Sequence, residues 1–591
     1  MDIIKNKIKL NNNSLTLVNQ FSKLNIDYNR EQLRNNLFDN DLYLKFLNIV
    51  QNKFLKTLSS DYTINKIMSS AFESSNISKF YYKLLDNSYE KPRRSTSNTN
   101  YHDMNTLDSK FMSKNVAKLL DTKRIYVVQF KEEYCGVKLE LNFYSDVKFF
   151  DSFINSKSES KSESNYKSKS KSVLDKKNII YQKIVRILRR IVFVIDFFNK
   201  NTCYNGEILN FDLLLLDPIK KLPDRRSEQL DAEYINSGYT TFYNDADNKK
   251  TIIIYRDEEM EKLIIHELIH FFMLDFTYLD INLSKYINVS SEIEFIPNES
   301  YTEFITVLIH TAIIPIENEF KKAINAIKPI KSSSGSGVVK ILNSNNIYTK
   351  GIDKKEVFYL AIELLYNEIL FGYFQCAKIL YQYNIGNIME FIKTNYVGNI
   401  NKNERGIEVS ESKEKVLFWQ SSCILSYFFI KVALLTNLPK SIVFFLSNQT
   451  NFKINTSNLV KTDFENLISS SLKLGIYKEN IQIALDEIHK IIFNPNVEKQ
   501  LSKKCKINEL IKRKPKSKTK KCVNSLRYIN CVNKIKENYK TLDSFKKSKS
   551  NSYNFSFLKT KKYKYKNKNK NDKGNSVNEI ITTTRMSLFE L

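Results

Sequence analysis

Positive charge is concentrated at one end of this chain, and this limits where a core can form. Residues 498–591 hold 27 Lys+Arg against 7 Asp+Glu, whereas the whole 591-residue chain has a formal charge of +28. A segment as basic as KKYKYKNKNKNDK cannot bury enough apolar surface to offset the entropy cost of ordering it. We therefore predict a folded body within residues 1–497 and a basic, mostly disordered tail over residues 498–591.

The tail has two functional interpretations besides plain solvation. Clustered lysines release counterions from nucleic acid or bind an anionic surface, and short basic runs are typical of nuclear import signals. Tyr563 and Tyr565 lie among the lysines, where aromatic rings can stack on bases. Nucleic acid or an anionic surface is therefore the predicted partner of the tail.

Several protein classes are excluded by features of the chain. The N-terminus lacks the apolar core and the small-residue cleavage site of a secretory signal. No uncharged apolar run approaches the ~20 residues that a membrane-spanning helix needs. Seven scattered cysteines do not form a disulfide framework, and Cys505, Cys522 and Cys531 are spaced too irregularly for a zinc ribbon. We predict an intracellular protein, cytoplasmic, nuclear or virion-associated, without a transmembrane segment.

Hydrophobic periodicity divides the body into regions, and together they predict an α+β fold. We expect residues 1–85 to be helical, 86–115 to be a polar connector, 116–330 to be a mixed domain and 338–497 to be a helical C-terminal lobe. Within the mixed domain, 155–172 is a Ser/Lys/Glu loop. Alternating segments around Cys135-Gly136 predict a hairpin, and GYTTFYN and TIIIYR predict a second one. Between the hairpins, IIYQKIVRILRRIVFVIDFFN predicts a basic amphipathic helix and EILNFDLLLLD a strand.

The sequence HELIH, from His266 to His270, lies on a helix predicted to begin near Asp257. His266 and His270 are one turn apart on the same helix face, so both imidazoles can reach one ion. Glu267 is rotated about 100° from His266, so its carboxylate can address a metal-bound water without ligating the metal. The chain has five His in total, so the pattern seldom arises by chance. It predicts a zinc site; the alternative is a buried helix with two satisfied core histidines.

A zinc site needs a third protein ligand besides the two histidines. The residues after His270, FFMLDFTYLD, lack the Gly and His of the metzincin extension. Downstream, Glu299 and Glu303 stand at i and i+4 of a helix predicted to start near Asn298. One could ligate the metal while the other accepts the outer N–H of a ligand histidine. The alternative is a solvated acidic helix start.

HELIH followed by NESYTE resembles the gluzincin branch of the zincin metallopeptidases, which pairs H-E-x-x-H with N-E-x-x-(S/T)-(D/E). The resemblance implies a zincin-like catalytic domain, in which a small mixed sheet packs on the HExxH helix. It implies one bound Zn2+ with the ligands His266, His270 and Glu299. Glu267 would be the general base, Glu303 would support a ligand histidine, and TIIIYR would lie near the substrate. The run from INSGYTT to HFFMLD also resembles uncharacterised proteins of large DNA viruses.

Other residues stay open for some of these roles. The gap from His270 to Glu299 is longer than in the best-known gluzincins, so the alternative third ligands are Asp275, Glu292, Glu294 and Glu303. His310 lies about 16 Å along the helix axis from Glu299, too far to bind the same ion. We interpret it as a packed or surface histidine, with transition-state stabiliser as the alternative. Stabilisation of an oxyanion is also open to Tyr239 and Tyr301, whereas His102 and His489 have no predicted role.

The predicted function is hydrolysis of a peptide bond in a peptide or protein substrate. Glu267 would take a proton from the activated water and pass it to the leaving amine. The alternative is a non-enzymatic protein, associated with nucleic acid or part of a virion, whose metal site is structural or vestigial. A zincin fold without peptidase activity is a third interpretation.

Overall fold

Helices and a mixed sheet share one hydrophobic core, so the predicted α+β class is confirmed at the level of mixed helix and sheet. The computed structural model describes residues 1–24, 26–59, 84–85, 125–145, 170–198, 208–215, 219–223, 230–241, 249–275, 281–289, 295–326, 352–392, 418, 422–447, 449–450, 453–454, 458–492 and 578–591. The predicted connector, the Ser/Lys/Glu loop as far as residue 169, the interval 331–351 and the basic run 498–577 lie outside these residues.

Among the described residues, the sheet has six strands in the order β1-β2-β3-β4-β6-β5. Their bounds are β1 Leu84–Leu85, β2 Ile125–Tyr134, β3 Val137–Ser145, β4 Ile208–Leu215, β5 Gly238–Thr241 and β6 Lys249–Ile254. β2 and β3 form the predicted hairpin, with Tyr134 opposite Val137. The two turn residues, Cys135 and Gly136, have φ of 51° and 79°. Two consecutive residues with positive φ give the turn a twist that matches that of the flanking strands.

The centre of the sheet is parallel and its β5 edge is antiparallel. β3 pairs with β4 and β4 with β6 in parallel register, whereas β5 pairs with β6 from Gly238↔Ile254 to Thr241↔Thr251, as the second predicted hairpin requires. Gly238 is needed here because a Cβ would stand 2.7 Å from the Ile253 carbonyl oxygen. One sheet face is apolar and buried through Leu139, Leu141, Phe143, Leu209, Phe211 and Leu213.

α7 Met260–Phe271 packs against the sheet, and α5 Ser170–Phe198 and α8 Pro297–Ala326 pack against α7. A 3-10 turn at Asp257–Glu259 leads into α7, which packs against β5, β6, α5 and α8. All twelve residues of α7 are buried, as expected for a helix that is apolar on most of its faces. α8 begins with Pro297, a residue suited to the first helical position because it lacks the N–H that would be unpaired there. The predicted helices at Asp257 and Asn298 are confirmed.

Helices also make up most of the remaining described chain. The N-terminal group is α1 Asp2–Lys7, α2 Asn12–Lys23, α3 Arg30–Phe38 and α4 Asp41–Ser59, and the short α6 spans Ala232–Ile235. The C-terminal group is α9 Lys354–Gln382, α10 Ile388–Phe391, a π-helical segment Leu425–Ile430, α11 Lys431–Thr436, α12 Leu438–Ser447, α13 Asn458–Leu472 and α14 Gly475–Ile492. A 3-10 turn at Leu283–Lys285 and the strand pair β7 Gln449–Thr450 and β8 Lys453–Ile454 complete the set.

Within the described residues there is no clear membrane span. α9 is long and apolar enough to cross a bilayer, but 89% of its apolar window is buried inside the protein, as in a core helix. A second candidate would join Leu425–Thr436 to Leu438–Phe445, but these two parts are bent at 101°.

The last 14 residues differ from the predicted disordered tail. Asn578–Thr582 forms α15, and every residue from Ile580 to Leu591 is buried. This stretch has Ile, Met, Leu and Phe where the preceding run has lysines, and its charged residues are Glu579, Arg585 and Glu590. The average charge over residues 498–591 conceals this local change in composition.

Candidate metal centre

His266, His270 and Glu299 converge on one point between α7 and α8. The two Nε2 atoms are 3.0 Å apart, and Glu299 Oε2 lies 3.2 Å from each of them. In the described part of the chain, this is the one group of three such side chains spaced to hold a metal ion. The histidines are almost fully buried, whereas the Glu299 side chain keeps 17% of its exposure. The structure therefore brings together the three residues predicted as ligands, at a point that is not sealed from solvent.

The outer nitrogens of both histidines face carboxylates. His270 Nδ1 is 2.7 Å from Asp275 Oδ2, and His266 Nδ1 is 3.1 Å from Glu303 Oε1. A carboxylate on Nδ1 favours the tautomer with its proton there, which leaves the Nε2 lone pair for an ion. Asp275 and Glu303, two of the alternative third ligands, thus lie behind the imidazoles rather than beside the three converging atoms.

Asp275 reaches His270 because α7 ends in a tight reversal. Met273 has φ of 50°, Leu274 N–H donates to the Ile269 carbonyl, and Met273 N–H donates to the His270 carbonyl. These two bonds and the left-handed residue form a Schellman motif, which usually has Gly at the position of Met273. The reversal is completed by Asn298 Nδ2, which donates to Asp275 Oδ2 at 3.0 Å. This turn explains why a residue five positions beyond His270 can orient it.

Glu303 is held in turn by two lysines. Lys262 Nζ lies 2.8 Å from Glu303 Oε2 and Lys431 Nζ lies 3.6 Å from it. Burial alone would raise the pKa of Glu303, but the two ammonium groups and His266 hold it well below the usual value. Glu303 is therefore charged, and its charge is available to His266.

The centre as a whole favours additional positive charge. Burial opposes protonation of His270, but Glu299 and Asp275 raise its pKa well above the usual value. Burial likewise opposes ionisation of Glu299, but the two histidines lower its pKa. Both shifts arise because imidazolium and carboxylate groups attract each other in this buried centre. A divalent cation at the three converging atoms would be attracted by the same carboxylates.

Glu267 points toward the edge strand. Its Oε2 accepts a hydrogen bond of 2.6 Å from Thr240 Oγ1 on β5. Burial raises the pKa of Glu267, with both histidines and the Thr240 hydroxyl acting against this. A fixed carboxylate with a raised pKa beside the candidate ligands can both accept and return a proton. The strand that contacts Glu267 is β5, the neighbour of β6, which contains most of the TIIIYR segment that the resemblance places near the substrate.

Tyr427 is a residue of this centre that sequence reasoning missed. It lies in the π-helical segment Leu425–Ile430, and its ring centroid is 6.0 Å from that of His266. Burial, followed by the nearby carboxylates, raises its pKa well above the usual value, so the phenol keeps its proton. The apolar pattern around Tyr427 predicts an ordinary core helix, and a π-turn has no signature in that pattern.

The other candidates have different surroundings. Of the two predicted alternatives for His310, packed or surface, the structure shows a packed histidine: Arg190 lies 2.8 Å from its Nδ1, and the Phe589 carbonyl lies 2.9 Å from its Nε2. The Tyr301 ring packs on Phe445, with ring centroids 4.9 Å apart, and Tyr239 is buried on β5. Glu292, Glu294 and His102 lie outside the described residues.

Comparisons with known proteins establish a viral similarity and no family. The chain is 26% identical over 251 residues to an uncharacterised protein of Acanthamoeba polyphaga mimivirus. The match covers 41% of this chain and about half of the viral protein, 52%. No protein family model matches the chain, and no solved structure matches it. The similarity to a protein of a large DNA virus is thus confirmed.

Proposed function

We propose that the protein is a zinc-dependent peptide hydrolase with a zincin-like catalytic domain. The observation that carries the proposal is the convergence of two imidazole Nε2 atoms and one carboxylate oxygen within 3.2 Å of one another. Two nitrogens and one oxygen are a donor set that suits zinc. Three protein ligands with remaining exposure at Glu299 are typical of catalytic zinc sites, whereas structural sites are closed by four.

The donor set fits the ion in its surroundings as well. Asp275 is hydrogen-bonded to the outer nitrogen of His270, and Glu303 lies 3.1 Å from the outer nitrogen of His266. Metal-ligating histidines commonly have a carboxylate in this place. When bound, zinc would polarise a carbonyl group and lower the pKa of a water molecule to about 7.

The residues of this chain would supply the proton transfer and the binding surface. Glu267 takes a proton from the attacking water and gives it to the leaving amine, and Thr240 holds its carboxylate in position. Tyr427 keeps its phenolic proton and can donate it as a hydrogen bond to the developing oxyanion. Among the described strands, β5 is the last one of the sheet beside this group, so an extended peptide can add to it as a further strand.

The test is Glu267→Gln, which keeps the shape and the Thr240 contact but cannot take up a proton. We expect the variant to bind one zinc per chain, as wild type does, and to cleave a mixed peptide library at least about 1000-fold more slowly. Glu31→Gln, an exposed carboxylate on α3, is the matched control and should leave both measurements unchanged. Cleavage by Glu267→Gln at the wild-type rate would refute the proposed role.

The second candidate is a virion or nucleic-acid-associated protein that acts through its basic run. It is favoured by the viral similarity and by the charge of residues 498–577. Deleting 498–577 while retaining 578–591 separates the two functions. If the run binds nucleic acid, the deletion abolishes salt-sensitive binding and leaves zinc content and hydrolysis intact. A wild-type protein that binds zinc but cleaves no peptide would indicate a zincin fold without peptidase activity.

A further inference from the structure

The N-terminus of α7 is capped by a residue that comes 328 positions later in the chain. Glu259 precedes the helix and makes no side-chain cap of its own. Instead, Glu590 Oε1 accepts a hydrogen bond of 3.2 Å from Lys262 N–H, the third residue of the helix. This N–H has no partner inside a helix and is the one that an N-cap side chain normally accepts from.

The capping is reciprocal. Glu259 Oε1 accepts hydrogen bonds from Met586 N–H and, at 3.1 Å, from Ser587 N–H. A carboxylate at the start of the HExxH helix therefore binds the C-terminal segment, while a carboxylate of the segment binds the start of the helix. The two elements fix each other's position along the helix axis.

A second route leads from the segment to the candidate ligands. The Met586 carbonyl accepts from Lys431 Nζ at 3.1 Å, and Lys431 Nζ lies 3.6 Å from Glu303. Lys262, whose backbone is capped by Glu590, holds the same carboxylate at 2.8 Å. Glu303 in turn lies 3.1 Å from His266 Nδ1. The segment thus touches both cations that position Glu303, and Glu303 faces a predicted metal ligand.

Buried polar side chains around the segment bind its main chain. Glu368 Oε1 accepts from Leu588 N–H at 2.9 Å and from Phe589 N–H at 3.2 Å. Lys378 Nζ donates to the carbonyls of Ile580 and Thr583. A buried polar group that lost such a partner would be left unsatisfied, which destabilises the folded protein. These side chains are therefore arranged to bind the main chain of residues 578–591.

We infer that residues 578–591 are a positioning segment of the metal centre, acting through Glu590 on Lys262 and through Met586 on Lys431 to fix Glu303 against His266. The segment binds no metal itself. Its role in metal binding rests on the proposed function, but its effect on His266 does not, because none of these contacts involves a metal ion.

The test is Glu590→Leu, which removes the cap, compared with Glu590→Gln, which retains an acceptor oxygen. In metal-free protein labelled with 15N-histidine, five imidazoles give a tractable spectrum. We expect Glu590→Leu to shift the His266 signals and Glu590→Gln to restore them, with the His489 signals unchanged throughout. We also expect the zinc affinity of Glu590→Leu to fall about tenfold, with the Gln variant within about twofold of wild type. If Glu590→Leu does not fold, Glu590→Asp, one methylene shorter, makes the same comparison.

Ile580→Ala is the matched control for a merely structural role. It removes buried apolar atoms from the same segment and should lower the melting temperature without moving the His266 signals. The inference is overturned if Glu590→Leu leaves His266 unshifted, or if Ile580→Ala shifts it as much. Failure of the proposed function has a different signature, which is a wild-type protein that binds no zinc while the His266 shifts still follow Glu590.

Discussion

Three histidines are buried to nearly the same extent, at 2%, 6% and 1% exposure, yet they lie in two opposite environments. His266 and His270 face carboxylates on their outer nitrogens and converge with Glu299 on the inner ones. His310 has a guanidinium on one nitrogen and a backbone carbonyl on the other. Burial therefore does not decide whether a histidine can bind a metal; the charge of its partners does.

The partners of His310 also fix its protonation state. Arg190 can only donate, so Nδ1 is the acceptor, and the Phe589 carbonyl can only accept, so Nε2 carries the proton. Burial, together with the charge of Arg190, lowers the pKa of His310 to about 3. A neutral imidazole with both nitrogens engaged has no lone pair to offer an ion. The same residue type is thus a candidate ligand on α7 and a core side chain on α8.

The contrast between the two histidine environments predicts its largest effect at His266. His266→Ala removes one of three converging donors, so we expect zinc per chain to fall from one to none, with affinity at least about 1000-fold lower. Elemental analysis after dialysis measures this. His489→Ala, in the last turn of α14, is the control. If the His266→Ala protein kept its zinc, the interpretation that His266 is a metal ligand and His310 a core side chain would be wrong.

A smaller effect should follow from changing the partner of His270 and leaving the histidine in place. Asp275→Asn keeps the shape of the side chain but removes the charge that faces Nδ1, and we expect zinc affinity to fall about 10- to 100-fold. Competition with a chromophoric chelator gives the affinity. The outer partner would be irrelevant if Asp275→Asn bound zinc as tightly as wild type.

The smallest effect is expected at His310. His310→Leu should retain zinc and lower the free energy of unfolding at pH 7.5 by about 2 kcal/mol, because the Phe589 carbonyl loses its donor. The pKa of His310 is lower in the folded than in the unfolded protein, so its contribution to stability is present above pH 6.5 and is lost as the pH falls toward 3. In urea unfolding, the difference in the free energy of unfolding between wild type and His310→Leu should therefore be smaller at pH 4.5 than at pH 7.5. A gap that widens at low pH would contradict this protonation state.

The parts of the centre that the sequence predicts are those fixed by local geometry. Helical spacing alone places His266 and His270 on one face, and the same reasoning pairs Glu299 with Glu303. Tyr427 and Lys431 could not be found this way, because their places depend on how a π-turn packs against α8.

Fold prediction shows the same division between local and distant contacts. Both hairpins and the helices at Asp257 and Asn298 follow from short-range patterns. The buried position of residues 578–591 does not, because it depends on a backbone N–H of α7 and on side chains from α9 and α11, which no local pattern connects to the segment.

The place of this segment in the chain sets an order of assembly during synthesis. About 85 residues separate Ile492 from Asn578, and at 5–20 residues per second a ribosome needs about 4 to 17 s to translate them. Throughout that interval, the main-chain groups of residues 578–591 that bind Glu259, Glu368 and Lys378 have not yet been synthesised. The helix that carries His266 and His270 would therefore lack the Glu590 cap until residues 578–591 had been synthesised and had docked.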